Sequence, residues 1–302
     1  MAAVTNQTDT DVAVGYASGI TTAKAIIQFN KSNVTFPLIS TEYAVKGTTS
    51  VSFPEWSKLA VTSVTNNAAG SEGDVQDATA LTSVANTIEV LRNNINAELT
   101  DLVAHGTSEG AYLQAGQVLG NTVSAEFDNA ICALFDAFSV SKGTSTEGLR
   151  FLDIMDAVGS LEQNDAPRPY SAVLHPLQMW GSYGLSNELG GSAVNGSNAV
   201  FNSNNMASDQ IFGTGFVTSL GGVNFYTSSQ VIDGADATEK KGAVFAKTAL
   251  GAGLINTGSG SFIEVKSERD EKAASTIIVA NGYWAVTELV DLHGVEIHTE
   301  IS

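Results

Sequence analysis

The sequence predicts an α+β fold, and three observations carry that expectation. Residues 34–96 alternate like strands, residues 110–138 repeat like a one-faced helix, and residues beyond 215 return to short strand-like segments. The chain has 302 residues, which suits one large domain or two intimately joined ones. Its hydrophobic fraction of 43% is enough to bury a real core. With 29 glycines, 5 prolines and many Ser, Thr and Asn residues, long turns and extended loops are expected between the elements.

Residues 1–30 are polar at first and then mixed, with Ile26, Ile27 and Phe29 as anchors. They read as an extended arm, the alternative being a frayed terminus. Val51 and Phe53 alternate with Ser50 and Ser52 until Pro54–Glu55–Trp56, which is expected to end or bend the run. Residues 66–77, NNAAGSEGDVQD, form an acidic turn, and Ala80–Leu91 runs back with Ile88 and Val90 around Glu89. Such a two-stranded excursion has too little core to be stable alone, so it must lie on something else.

Between 110 and 138, Leu119, Val123, Phe127, Ala130, Leu134 and Phe138 recur at steps of three and four. A helix of that extent is about 43 Å long, although Gly116 and Gly120 weaken its first half. A second helix fits 147–163, through Phe151, Met155, Val158 and Leu161, and stops at Asp165–Ala166–Pro167–Arg168–Pro169. Tyr170–Leu174 reads as a short buried strand, and Pro176 is placed to begin another helix. Residues 184–215 form a long Gly/Asn/Ser-rich loop. Strand-like segments follow at Gly215–Leu220, Val223–Thr227, Ala243–Ala246 and Phe262–Val265. Thr276–Ala280 and Tyr283–Leu289 flank a turn expected at Asn281–Gly282, and Val295–Ile301 is the last strand.

Fourteen basic residues against 32 acidic ones give a formal net charge of -18. Gripping nucleic acid needs clustered Lys and Arg, and the one close basic pair, Lys240–Lys241, lies in an acidic loop. If the protein meets DNA, it contains it without gripping it. One cysteine, Cys132, excludes an internal disulfide and an all-cysteine metal site, and its apolar neighbours make it a buried small hydrophobe. No apolar block follows Met1, so no secretory signal is expected, and runs such as Gly242–Ile255 are too short to span a bilayer.

A phosphate-binding loop and a nucleophile elbow are both missing from the sequence. His293, Glu296 and His298 look like metal ligands, but on a strand Glu296 and His298 share a face and His293 points away. No metal and no cofactor are therefore expected. His175, before Pro176, reads as a polar cap. Ser267–Lys272 (SERDEK) is the one dense mixed-charge run, either a solvated turn or a salt-bridging contact with a neighbour.

The order of these elements resembles the Hong Kong 97-type capsid fold of tailed-phage major capsid proteins. The stretches that carry the resemblance are TTSVSFPEWSKLA (48–60), LRFLDIMDAVGSLEQNDAPRPYSAVLHPLQMW (149–180), GTGFVTSLGGVNFYTSSQV (213–231) and STIIVANGYWAVTELVDLHGVEI (275–297). It implies an N-terminal arm at 1–32, the start of a peripheral domain at 33–44 and an extended loop at 45–95. The peripheral domain with its spine helix would continue over 96–144. An axial domain at 145–260, a peripheral return at 261–278 and closing axial strands at 279–302 would complete the chain. Members with a fused scaffold carry a charged helical segment ahead of the arm; here processing or a separate scaffold is expected instead.

The implied function is a non-enzymatic major capsid protein. Its hexamers and pentamers would close an icosahedral head around double-stranded DNA, assembled in the host cytoplasm and resident in the virion. Scaffold, portal and cement proteins are the expected partners, and no membrane is involved. Residues expected between subunits are Phe29 of the arm, then Lys46, Glu55, Trp56, Lys58, Glu72, Asp74 and Asp77 of the loop, and Arg269, Asp270, Glu271 and Lys272 of the charged run. Some relatives crosslink a loop lysine to a neighbouring asparagine; Lys46 and Lys58 lie in that region, and no crosslink is expected. The alternatives are an encapsulin-like compartment shell and a secreted surface or adhesin protein. The long helix and the missing signal weigh against the second.

Overall fold

A computed structural model describes residues 21, 23–56, 82–101, 111–185, 216–257 and 261–301. The helices used below are α1 at residues 23–32, α2 at Ala111–Cys132, α3 at Phe151–Gln163 and α4 at Pro176–Trp180. The strands of the first half are β1 (Ser40–Tyr43), β2 (Ser50–Trp56), β3 (Ser83–Glu89), β4 (Leu91–Thr100), β5 (Ser141–Lys142) and β6 (Tyr170–Leu174). Those of the second half are β7 (Phe216–Leu220), β8 (Val223–Thr227), β9 (Glu239–Ala246), β10 (Leu250–Leu254), β11 (Ile263–Asp270), β12 (Ser275–Glu288) and β13 (Gly294–Glu300). They form a five-stranded sheet, β1-β10-β12-β11 with β4 also on β12, a six-stranded sheet, β5-β13-β9-β6-β8-β7, and the two-stranded ribbon β2-β3.

Two main cores pack the large sheets, and the first also takes Val173, Ala243 and Phe245 from one face of the six-stranded sheet. On the five-stranded sheet, Leu250, Ala252 and Leu254 of β10 and Ile278, Ala280 and Trp284 of β12 meet Leu119, Val123, Phe127 and Ile131 of α2. On the six-stranded sheet, Ala172 and Leu174 of β6, Val244 and Ala246 of β9 and Val295 and Ile297 of β13 meet Ile154, Ala157, Val158 and Leu161 of α3. Tyr170–Leu174 is buried at every position, as a central strand covered on both faces requires.

Several expectations change. The second half of the expected arm is not extended: residues 23–32 are helical, with Ala25 and Phe29 buried one turn apart. The partner of α1 is the glycine pair in α2. A Cβ on Gly116 would lie 2.8 Å from the Thr21 carbonyl, and one on Gly120 2.5 Å from that of Ala25. These glycines let two helix backbones approach, and their cost in helix propensity is offset by that packing. α2 ends at Cys132 and continues as a 3-10 turn, Ala133–Ala137, so the α-helical part is about 33 Å long. α3 begins at Phe151 and not at 147, because the Leu149 N–H bonds the Tyr183 carbonyl and holds the preceding residues out of the helix.

Pro54 does not end β2, which pairs with β3 from Ser50↔Glu89 through Pro54↔Ala85 to Trp56↔Ser83. Both strands of a ribbon are edges, so a missing N–H is tolerated there. Asn281–Gly282 makes no turn: β12 runs unbroken through it, 14 residues in all. Gly282 is needed because the Trp284 ring folds over it on the same strand face, and a Cβ would lie 1.8 Å from that ring. β10 was not expected, since LGAGL lacks a β-branched residue. It and all of β12 belong to the sheet under α2, so residues 250–254 and 279–288 lie apart from the six-stranded sheet to which β6, β7, β8 and β9 belong. The expected loop at 184–215 falls almost wholly outside the described residues.

Candidate assembly surfaces

The ribbon β2-β3 stands outside the two large sheets, and its root shows how it is held. Val51, Phe53 and Val90 are buried there against Ala44, Ile88, Ile255, Tyr283 and Leu289. Gly253 of β10 makes the seat: a Cβ there would come within 2.9 Å of Ile88 and 3.0 Å of Val51. The Asn86 amide adds a 3.0 Å hydrogen bond to the Leu289 carbonyl. Val90 closes the root by donating its N–H to Thr49, after which the chain enters the five-stranded sheet as β4. The excursion therefore does lie on something else, the back of β10 and β12.

Beyond the root the ribbon pairs only with itself among the described strands, which leaves backbone donors and acceptors on both outer edges. Val84 shares a strand face with Ile88 and Asn86, yet it is 69% exposed. Val84 is thus an apolar residue past the ribbon's own support, beside its exposed cross-strand partner Glu55 on the same face. Sequence reasoning did not single out Val84, although period-two spacing from Ile88 points to it.

The structure separates the expected contact residues. Phe29 is buried within the subunit, in a ring cluster with Phe36, Phe127 and Phe262 at centroid distances of 5.7, 5.9 and 5.2 Å. It is an internal anchor and cannot be offered to a neighbour in this state. Lys46 and Glu55 are exposed at the root and on β2, and Trp56 ends β2. Lys58, Glu72, Asp74 and Asp77 lie outside the described residues.

The charged run is the end of β11, Ser267–Asp270, and the start of the turn to β12, Glu271 and Lys272. Arg269 grips Asp101 at the end of β4 with both guanidinium nitrogens and also meets Glu271 at 3.4 Å. The hydrogen bonds to Asp101 hold its pKa above the ordinary arginine value. Asp270 accepts from the N–H groups of Lys272 and Ala273, at 2.9 and 3.2 Å, and shapes the turn. Glu271 and Lys272 remain exposed. Arg269 and Asp270 are thus used within the chain, and the outward charges are Glu271 and Lys272.

The described histidines, His175, His293 and His298, have structural tasks. His175 Nδ1 accepts the Leu177 N–H at 3.2 Å, capping α4, and burial lowers its pKa in keeping with a neutral acceptor. His298 Nε2 lies 3.0 Å from Glu239, whose pKa that bond lowers. His293 Nδ1 meets the Thr248 hydroxyl at 2.8 Å. Glu296 is buried beside Lys241, 3.3 Å away, and Lys241 also pairs with Asp136. Among the described residues no three His, Cys, Asp or Glu side chains converge as metal ligands. Cys132 is fully buried, and burial pushes its thiol far above the usual range. No described helix is long and apolar enough to cross a membrane.

No family model matches the sequence, and no curated protein does. Solved structures do match. The capsid of Ralstonia phage GP4 is 11% identical, with 90% of each chain covered and a TM-score of 0.69. The capsid of cyanophage P-SCSP1u is 15% identical over 90% of each chain, with a TM-score of 0.59. An encapsulin from Synechococcus elongatus is 11% identical, covering 74% of this chain and 79% of its own, with a TM-score of 0.55. Identities this low carry no residue correspondence, but agreement along most of both chains fixes the architecture: the protein has the α+β fold of phage capsid proteins, a fold that an encapsulin shares.

Proposed function

We propose that the protein is a shell subunit, the major capsid protein of a tailed phage. In this reading it assembles as hexamers and pentamers into an icosahedral head around double-stranded DNA. The observation that carries it is the ribbon β2-β3, seated on the subunit at its root and, beyond that seat, paired only with itself among the described strands, with Val84 exposed. An enzyme gains nothing from such an element, whereas a shell subunit gains buried area on its neighbour. Likeness to phage capsids over nine-tenths of the chain supports the same reading.

In the terms of the Hong Kong 97-type fold, the ribbon is the extended loop, α2 the spine helix, the five-stranded sheet the peripheral domain and the six-stranded sheet the axial domain. Glu55, Glu271 and Lys272 are then candidate contacts between subunits, with Lys46 at the ribbon root. Scaffold, portal and cement proteins are the partners such a shell implies. The net charge of -18 suits a wall that holds DNA without adsorbing it.

Negative-stain microscopy and sedimentation of the purified protein test this directly. Closed angular shells are the expected result, and a monodisperse monomer under all salt conditions would sink the proposal. A compartment shell is the second reading, favoured by the encapsulin match. Double-stranded DNA inside native particles supports the phage head; a protein cargo without DNA supports the compartment.

A further inference from the structure

Three strands of the five-stranded sheet, β1, β4 and β11, have one side without a strand partner among the described strands. Such edges pair with other chains unless they are short or charged. β1 has four residues, and β11 sets Glu264, Lys266, Glu268 and Asp270 along its length. β4 has neither protection. It pairs with β12 over ten consecutive positions without a bulge, and its middle, NNINA at 93–97, holds no charge and no proline.

The hydrogen bonds fix which backbone groups of β4 face outward. In an antiparallel pair, successive residues alternate between facing the partner strand and facing away. The Asp101 N–H reaches the Ala274 carbonyl at 2.9 Å, and across β12 the Tyr283 N–H reaches the Phe262 carbonyl at 3.0 Å. Both bonds turn the odd-numbered residues of β4 toward β12. Arg92, Asn94, Asn96, Glu98 and Thr100 therefore direct their N–H and C=O groups outward. Their side chains are exposed, on the sheet face away from α2, because Ile95 and Ala97 between them pack against the core under that helix.

We infer that β4 is a self-complementary edge, which pairs antiparallel with β4 of a second copy of this chain across a twofold axis at Ile95. The outward groups can bond only if even-numbered residues stand opposite even-numbered ones. Among the registers this allows, the one centred on Ile95 matches every flanking pair. Arg92 stands opposite Glu98 of the second copy and Asn94 opposite Asn96, each pair occurring twice as an isologous contact requires. On the other face Leu91, 64% exposed, stands opposite Leu99. A shift of two residues either way sets Arg92 against Asn96 or Thr100 and loses both ion pairs. Arg92 makes no ion pair among the described residues, and Glu98 takes the Ser275 hydroxyl on one oxygen at 2.7 Å, which leaves the second for a guanidinium. The pairing needs only a second copy and goes beyond the shell reading, in which it supplies a twofold contact. One strand pair is a small interface, so a free dimer is expected to be weak and concentration-dependent.

Single cysteines in the full-length protein read the register. Opposed residues at a non-hydrogen-bonded position have Cα atoms about 4.5 Å apart, within disulfide reach, while diagonal neighbours are roughly 7–8 Å apart. Under mild oxidation Ile95→Cys should give a linked dimer. Asn94→Cys and Asn96→Cys, which meet themselves only in the two shifted registers, should not, and the buried Cys132 stays silent in the wild type. Charge reversal needs no cysteine: Arg92→Glu or Glu98→Arg, both at exposed positions, should weaken self-association in sedimentation by about tenfold, and the two together should restore it. Equal linkage at all three positions, none at 95, or a double reversal no better than the single ones overturns the inference. Linked dimers without shells uphold the strand pair alone; shells without linkage at 95 overturn it and leave the shell reading standing.

Discussion

Thr35 donates both its backbone N–H, at 2.9 Å, and its hydroxyl, at 2.6 Å, to one oxygen of Asp128, a side chain 93 residues away on α2. The second oxygen takes the Val34 N–H at 3.1 Å. One buried carboxylate thus turns the chain from α1 into the 3-10 turn before β1. Asp128→Ala leaves two buried amide donors without a partner, and a loss of about 3 kcal/mol in urea unfolding is expected. Burial raises the Asp128 pKa, against the three bonds that lower it. Its ionisation therefore works against the folded state, and wild-type stability should decline relative to Asp128→Asn as pH rises above 3.8. Parallel pH dependences for the two proteins would show that Asp128 is ionised at no net cost.

Gly282 and Gly159 should respond oppositely to alanine. At 282 the new Cβ meets Trp284 and must drive a buried ring out of the core, which costs about 3 kcal/mol. At 159, inside α3, nothing lies within 4 Å, and lower backbone entropy in the unfolded chain should stabilise by about 0.5–1 kcal/mol. Thermal melts of the two variants give the comparison. A tolerated Gly282→Ala would mean that the ring position at Trp284 is wrong.

Gly116 and Gly120 set the separation of α1 and α2. Replacing both with alanine should strip α1 from the helix it lies on while α2 keeps its contacts with β12. Limited proteolysis reads this as early cleavage within residues 23–32, with a lowered midpoint for the remainder because Phe29 leaves its ring cluster. Cleavage no faster than in the wild type would show that the helices meet by another route.

Arg269→Ala should destabilise the isolated subunit, because the guanidinium ties the β11–β12 turn to β4 through Asp101. That effect should shrink in high salt. Glu271→Ala and Lys272→Ala should leave the melt unchanged and, in the proposed shell, alter only assembly. If Lys272→Ala lowers the melting midpoint as much as Arg269→Ala, the division between internal and outward charges is wrong.

Removing the ribbon outward of Phe53 and Asn86 should leave a folded subunit, since among its described residues the buried ones sit at the root. In the shell reading it should abolish assembly. Circular dichroism and sedimentation separate the outcomes: normal shells would remove the proposed role of the ribbon, and an unfolded chain would make it part of the core.

The sequence by itself determined the local elements with strong periodicity. The three-and-four spacing of Leu119, Val123 and Phe127 can bury only one helical face, and the apolar run Tyr170–Leu174 can only be a covered strand. Pro176 after His175 starts a helix because proline lacks the N–H that a first turn leaves unbonded. The two-stranded excursion was legible for the same reason, as alternation either side of an acidic turn. What only the tertiary structure decided were positions where a residue acts on something distant in the chain. Asn281–Gly282 has the local chemistry of a turn, yet strand pairing on both sides and the Trp284 ring make it strand interior. Gly116 and Gly120 weaken a helix locally and are there for α1. Gly253 is a gap in β10 until Val51 and Ile88 fill it. Likewise Phe29 and Arg269, apolar and charged residues of the kind that interfaces use, are consumed by partners inside the subunit. Local propensity acts over a few residues and shows in the sequence; a glycine's missing side chain or a charge's partner is defined by atoms far along the chain, which only folding brings near.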